Sequence, residues 1–142
     1  MISCHVISAL SALAFCGMLG YQVWKEEYTR ALTVAASAFI GFVFVTALRK
    51  LLNAPRPYEL YPFYENKPKD KAGESFPSRH AYSAFAIATL LFSVSLPIAI
   101  AMTVLALAMC VFRVLLGIHF IRDVTAGALI GVCAGVIGLI LI

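Results

Sequence analysis

The chain has 142 residues, of which 62% are hydrophobic and 13% charged, with a formal net charge of +4. A mean hydropathy of +0.93 excludes an ordinary water-soluble domain and points to a bilayer. The basic balance does not indicate nucleic acid, because Lys and Arg gather between apolar runs instead of along an amphipathic face; a membrane surface and an anionic substrate account for them.

A hydrocarbon core of about 30 Å takes roughly 20 apolar residues per helical crossing. The first crossing covers residues 1–23 and ends at Trp24-Lys25-Glu26-Glu27, an aromatic and charged interface signal. A cleaved signal peptide is the competing reading, but no Lys or Arg precedes the apolar stretch and no small-x-small cleavage site stands out. The second crossing covers residues 31–48 and closes at Arg49-Lys50. The polar stretch that follows, to residue 76, holds four of the six prolines and is the one substantial loop. Its aromatics, Tyr58, Tyr61, Phe63 and Tyr64, are expected at headgroup level.

Residues 81–112 would reach about 48 Å as one helix, too long for a single crossing even with tilt. Pro97, preceded by Ser93 and Ser95, marks a reversal. Two short crossings result, residues 78–95 and 98–116, and His80 and Arg113 return to one face; a single kinked helix would separate them. The last crossing, residues 124–142, carries Gly127, Gly131, Gly135 and Gly138. Such a stripe lets helices approach closely, either within the chain or across a homo-oligomer seam through Gly127, Gly131 and Gly135. The expected fold is an all-α integral membrane bundle of about five transmembrane helices in a single domain, residues 1–142, with residues 30–142 as its core. Cys4, Cys16, Cys110 and Cys133 lie in apolar segments without metal-ligand spacing and read as buried small hydrophobes.

Three polar groups lie where apolar runs begin or end: Arg49 with Arg56-Pro57, Pro77-Ser78-Arg79-His80, and Arg113 with His119 and Asp123. Ionisable groups near membrane depth are costly and read as functional. Arginine is permanently charged and grips phosphate oxygens with two parallel donors, whereas Lys50 reads as an interfacial anchor. Pro77 and Ser78 signal a helix start, whose free N–H groups favour an anion. His80, in the first turn, is placed to protonate a leaving oxygen; plain capping by Ser78 with a solvated His80 is the alternative.

In an unbroken helix Arg113 and His119 would point about 120° apart. Gly117 offers a place to end the helix, so that His119 enters from a short connection. Asp123, four residues on, can fix the tautomer of His119 and leave its other nitrogen free as a nucleophile.

These residues resemble the type 2 phosphatidic acid phosphatase superfamily, whose signature runs Lys, six residues, Arg-Pro; Pro-Ser-Gly-His; Ser-Arg, five residues, His, three residues, Asp. Arg56-Pro57, Pro77-Ser78, His80, Arg113, His119 and Asp123 match in type and spacing. Arg49 stands where the family has lysine, Arg79 where it has glycine and Phe112 where it has serine. The resemblance implies a lipid phosphatase or pyrophosphatase with catalytic His119, Asp123 and His80. Its phosphate would be held by Arg49, Arg56, Ser78, the Arg79 backbone and Arg113. It further implies a phosphohistidine intermediate, no metal or other cofactor, and a membrane lipid phosphate as partner; undecaprenyl pyrophosphate, phosphatidylglycerophosphate and phosphatidic acid all fit. The family's bundle usually has six spans, of which this chain would lack the first. A non-catalytic lipid-phosphate-binding protein is the reading from another class. It would keep the cationic pocket without needing the histidines in working geometry.

On location, the resemblance implies a multi-pass protein of a bacterial cell membrane with an extracytoplasmic site. The positive-inside rule points the other way: nine Lys and Arg flank the clustered face against Lys25 and Arg30 opposite. Setting aside Arg49, Arg56, Arg79 and Arg113 as phosphate ligands reduces that bias to five against two.

Overall fold

The computed structural model describes residues 2–61 and 72–142. Its helices are α1 (Ile2–Trp24), α2 (Tyr28–Leu52), α3 (Pro57–Leu60), α4 (Arg79–Leu90), α5 (Leu96–Leu115) and α6 (Ile121–Ile140), with a 3-10 turn at Leu91–Ser93 between α4 and α5. Phe63 and Tyr64 lie outside the described residues. Of the helices, α1, α2, α5 and α6 are long and apolar enough to cross a membrane.

The sequence supplies the ends of these helices. Asn53 adopts the left-handed conformation, φ 39°, and donates its N–H to Arg49 O at 2.9 Å, stopping α2. Ser78 caps α4, its hydroxyl accepting the Ala81 N–H at 3.4 Å. The 3-10 turn ends α4, and Pro97 falls in the first turn of α5, where its missing N–H costs nothing. The chain therefore reverses where the sequence indicates. The reversal is tighter than expected, and α4 has only 12 residues, about 18 Å.

A helix that short does not span the hydrocarbon core unaided, yet α4 lies at the centre of the bundle, contacted by α1, α2, α5 and α6. Ala81, Tyr82, Ala84, Phe85, Ala86, Ile87, Ala88 and Leu90 are all buried. Protein surrounds it where a lipid-exposed helix would need its full length. The outside of the bundle is apolar: Leu13, Phe39, Ile40, Val104, Leu129 and Ile137 are exposed, as a lipid-facing surface requires. Cys4 is buried as expected, but Cys16 and Cys133 face outward, since lipid receives a small apolar side chain as readily as a core does.

The widest contact joins α4 to α6, and the glycine stripe makes it. A Cβ on Gly127 would strike Ser78 O, and one on Gly131 would strike Tyr82 O and Ala86 N. One on Gly135 would meet Thr89, and one on Gly138 Leu90 and Ser37. The stripe is thus occupied inside the chain, and a homo-oligomer would need another face. Tyr82 ties α4 to α2 by donating its hydroxyl to Ala38 O at 2.7 Å, over Gly41, where a Cβ would collide with the ring.

Replacing Gly131 with Val is expected to cost at least about 1–3 kcal/mol, because backbone on the facing helix cannot move aside. Gly20→Val, at a position with nothing within 4 Å of the added carbon, should be close to neutral. Thermal unfolding of both variants in detergent checks this, and equal melting temperatures would contradict the close α4–α6 contact.

Candidate active site

One end of the bundle collects the polar residues. The last turn of α2 presents Arg49, Arg56 precedes α3, α4 begins with Arg79 and His80, and the last turn of α5 carries Arg113. Past α5 the chain makes a Schellman turn on Gly117, φ 66°. Ile118 N–H donates to Arg113 O at 3.0 Å and Gly117 N–H to Val114 O at 3.0 Å. This ends the helix where the sequence indicates and turns His119 back toward Arg113. Gly117 O in turn accepts the Tyr58 N–H at 3.2 Å. Tyr58 is buried, with the Arg56 guanidinium 5.8 Å from its ring centre, so its side chain packs inside the protein beside the site.

His119, Asp123 and Ser75 form a closed cluster with 1%, 0% and 0% exposure. The carboxylate lies 3.6 Å from His119 Nδ1, beyond hydrogen-bond length. Ser75 fills the interval: its Oγ is 3.3 Å from Nδ1 and donates a short hydrogen bond to Asp123 Oδ2. The same Oδ2 accepts the Phe120 N–H at 2.9 Å. With its only proton committed to the carboxylate, the Ser75 oxygen can only accept from the ring. Nδ1 therefore carries the hydrogen, and Nε2 is left with its lone pair. The expected link between Asp123 and His119 is in this way largely conducted through Ser75. No spacing rule exposes that serine, because it comes from a loop 48 residues before its carboxylate partner.

Burial pushes the His119 pKa down to about 4; the charge of the nearby Asp123 carboxylate opposes this and the charges of Arg113 and Arg56 reinforce it. The ring is accordingly neutral near pH 7.

The segment before α4 is fastened on both sides. Ser75 N–H donates to Ala54 O at 2.8 Å and Ser78 N–H to Asp123 O at 2.9 Å. Glu59 Oε1 accepts from Gly73 N–H at 2.7 Å and from Arg56 N–H at 3.0 Å. Arg56 Nε donates to Gly73 O at 2.9 Å, and an Arg49 terminal nitrogen to Pro77 O at 3.2 Å.

These elements enclose a pocket of about 290 Å³ whose walls include Arg49, Arg56, Arg79, His80, Arg113 and His119, with Glu74 as the one acidic member among the described residues. Six of the eight residues expected at the site thus share one cavity. The other two support it: Ser78 is fully buried as the α4 cap, and Asp123 stands behind His119. Arg49 and Arg113 are buried, the Nε of each lacks a partner, and no carboxylate pairs with either among the described residues. Cations held this way are costly unless an anion joins them. Phe112, one of the departures from the family signature, is 42% exposed on α5 and does not line the pocket.

Residues 28–142 match the PAP2 superfamily. The chain belongs to this family. This PAP2 protein is 30% identical over 113 residues to the bacitracin transport permease protein BcrC of Bacillus licheniformis, a match covering 77% of this chain and 56% of the relative. It is also 30% identical over 126 residues to decaprenylphosphoryl-5-phosphoribose phosphatase of Mycobacterium tuberculosis, covering 88% of this chain and 67% of that one. The chain thus spans little more than half the length of the Bacillus relative. The crystal structure of Aquifex aeolicus LpxE superposes with a TM-score of 0.78 at 27% identity, over 97% of this chain and 84% of that chain.

In nitrogen-15 NMR of histidine-labelled protein, assigned with His119→Gln, His119 is expected as the Nδ1–H tautomer at pH 7 with a midpoint near 4. An ordinary midpoint near 6.5 would contradict the buried, neutral ring. Ser75→Ala should mix the two tautomers, and an unchanged spectrum would remove Ser75 from its positioning role.

Proposed function

We propose that this PAP2 protein is a membrane lipid phosphatase that works through a phosphohistidine. The observation that carries the reading is a buried His119 at the wall of a pocket with four arginines, its Nδ1 turned to Ser75 and Asp123 so that Nε2 is left for the substrate. Nε2 attacks phosphorus and the bond from phosphorus to the leaving oxygen breaks, while His80 gives that oxygen a proton. The positive charge that develops on the ring is met by Asp123 through Ser75. Arg49, Arg56 and Arg113, with the Arg79 backbone N–H at the Ser78-capped start of α4, hold the phosphoryl oxygens as their charge redistributes. Water then attacks the phosphohistidine, the N–P bond breaks, His80 takes the water's proton, and phosphate leaves.

A lipid substrate is supported by the position of the pocket at the end of a lipid-facing bundle, and by the name of the mycobacterial relative, a phosphatase of a decaprenyl-linked phosphate. Charge stabilisation by arginine makes a metal unnecessary in this scheme. Among the described residues no group of three or more His, Cys, Asp or Glu is placed to hold one. We assign the site to the extracytoplasmic face. The four arginines discounted as topological signals all line the pocket, which supports discounting them.

His119→Ala is expected to lower turnover of lipid phosphates by a thousandfold or more while leaving the melting temperature near wild type. Rapid quenching without acid should trap a labelled phosphohistidine in wild type and none in the variant. Phosphate release should persist in EDTA. Full activity of His119→Ala, or loss in EDTA restored by magnesium, would overturn the mechanism; binding of lipid phosphate without turnover would favour a non-catalytic role. With the native cysteines replaced, a Glu65→Cys variant should react with an impermeant maleimide in intact cells, and protection there would reverse the sidedness.

A further inference from the structure

The family signature has glycine where this chain has Arg79, and the reaction above uses only the backbone of that residue. Its side chain is half-buried and has no hydrogen bond or ion pair among the described residues. The guanidinium lies 5.9 Å from the Phe42 ring centre, where α2 faces α4. Its position is distinctive because Arg79 and His80 line two cavities at once. One is the arginine pocket; the other is an apolar groove of about 490 Å³ bounded by α1, α2, α4 and α5, with Phe15, Phe42, Ile87 and Met109 in its walls. His119 lines the first cavity and not the second.

In-line displacement puts the leaving oxygen opposite the attacking nitrogen. The proton donor His80 marks that side, so whatever the leaving oxygen carries passes beside Arg79 on its way to the groove. An alcohol would bring no charge to that neck, and the guanidinium would face it unpaired; a phosphate would pair with it directly. The net charge of the pocket agrees. Arg49, Arg56, Arg79 and Arg113 face Glu74 alone among the described residues, so the arginines leave three positive charges uncompensated and the proton that His80 donates adds a fourth. A lipid diphosphate brings roughly three negative charges near neutral pH, against about 1.5 to 2 for a monophosphate.

Building on the phosphatase reading, we infer that the preferred substrate is a lipid diphosphate, with the Arg79 side chain as a specificity determinant that holds the inner phosphate and the groove receiving the hydrocarbon tail. His119 Nε2 attacks the terminal phosphorus and the bond from that phosphorus to the bridging oxygen breaks. The electron pair stays on that oxygen, which becomes part of the lipid monophosphate product and takes the His80 proton. Water later cleaves the N–P bond to give inorganic phosphate. The class of reaction supplying the substrate is one that leaves a diphosphate on a lipid alcohol, and the product is a lipid monophosphate.

The test compares farnesyl diphosphate with farnesyl monophosphate, which share one tail, using purified protein in detergent. Wild type should favour the diphosphate at least tenfold in kcat/KM and release inorganic phosphate and farnesyl monophosphate. Arg79→Gln should lower both activities but the diphosphate at least tenfold more, collapsing the preference, and Arg79→Lys should retain part of it. Equal losses on the two substrates, a wild-type preference for the monophosphate, or release of pyrophosphate with farnesol would overturn the inference while leaving a phosphatase in place. Failure of wild type on both substrates, and on phosphatidic acid, would overturn the phosphatase reading as well. Should Arg79→Gln not fold, the ratio in Arg79→Lys and in wild type decides.

Discussion

Close approach of α6 to α4 is the contact on which the site depends. The two histidines come from different parts of the chain, His80 from the start of α4 and His119 from the residue before the Phe120 cap of α6. They reach one pocket because Gly127 lets α6 lie against Ser78 O, and because Ser78 N–H is bound to Asp123 O at 2.9 Å. A side chain at Gly127 would force apart the cap of α4 and the start of α6. Packing and chemistry therefore meet in the same few atoms, and the glycines contribute to the site without touching it.

Electrostatics explains why the pocket is built with so much apparent waste. Buried arginines without carboxylate partners lower the stability of an empty site, and a hydrophobic bundle must offset that cost through its packing. In exchange, the phosphate of the proposed reaction would find donors already oriented and partly desolvated, with little reorganisation on binding. Neutral His119 belongs to the same design. Burial and the charges of Arg113 and Arg56 outweigh the pull of Asp123, and the ring stays neutral.

Much of this was legible in the sequence, and the reasons are specific. Helix-scale apolar runs exposed the crossings, Pro97 with its serines exposed the reversal, and Gly117 exposed the end of α5, because each is a local rule written in adjacent residues. The arginines and histidines stood out against an apolar background. What was not legible depends on distance in the chain. Ser75 is an unremarked loop hydroxyl until folding brings it to His119, and Tyr58 reads as an interfacial aromatic until Gly117 fixes its backbone. The shortness of α4 follows from enclosure by four helices, a property that no window of twelve residues contains. Phe112 looked like a disturbance of the site and instead faces outward, since neighbours in a helix sequence point about 100° apart.

The enclosure of α4 has a consequence for biogenesis. A segment of 12 residues that begins with Arg79 and His80 is a poor candidate to partition into lipid alone during synthesis. The tight turn at Leu91–Ser93 couples it to α5, a full-length apolar helix, an arrangement that favours insertion of the two as a hairpin. Until α6 packs, the backbone of α4 at Tyr82 and Ala86 lacks the neighbour that Gly131 provides. Helix α6 is thus the one that closes the core, and the arginine pocket is complete only once it has packed against α4.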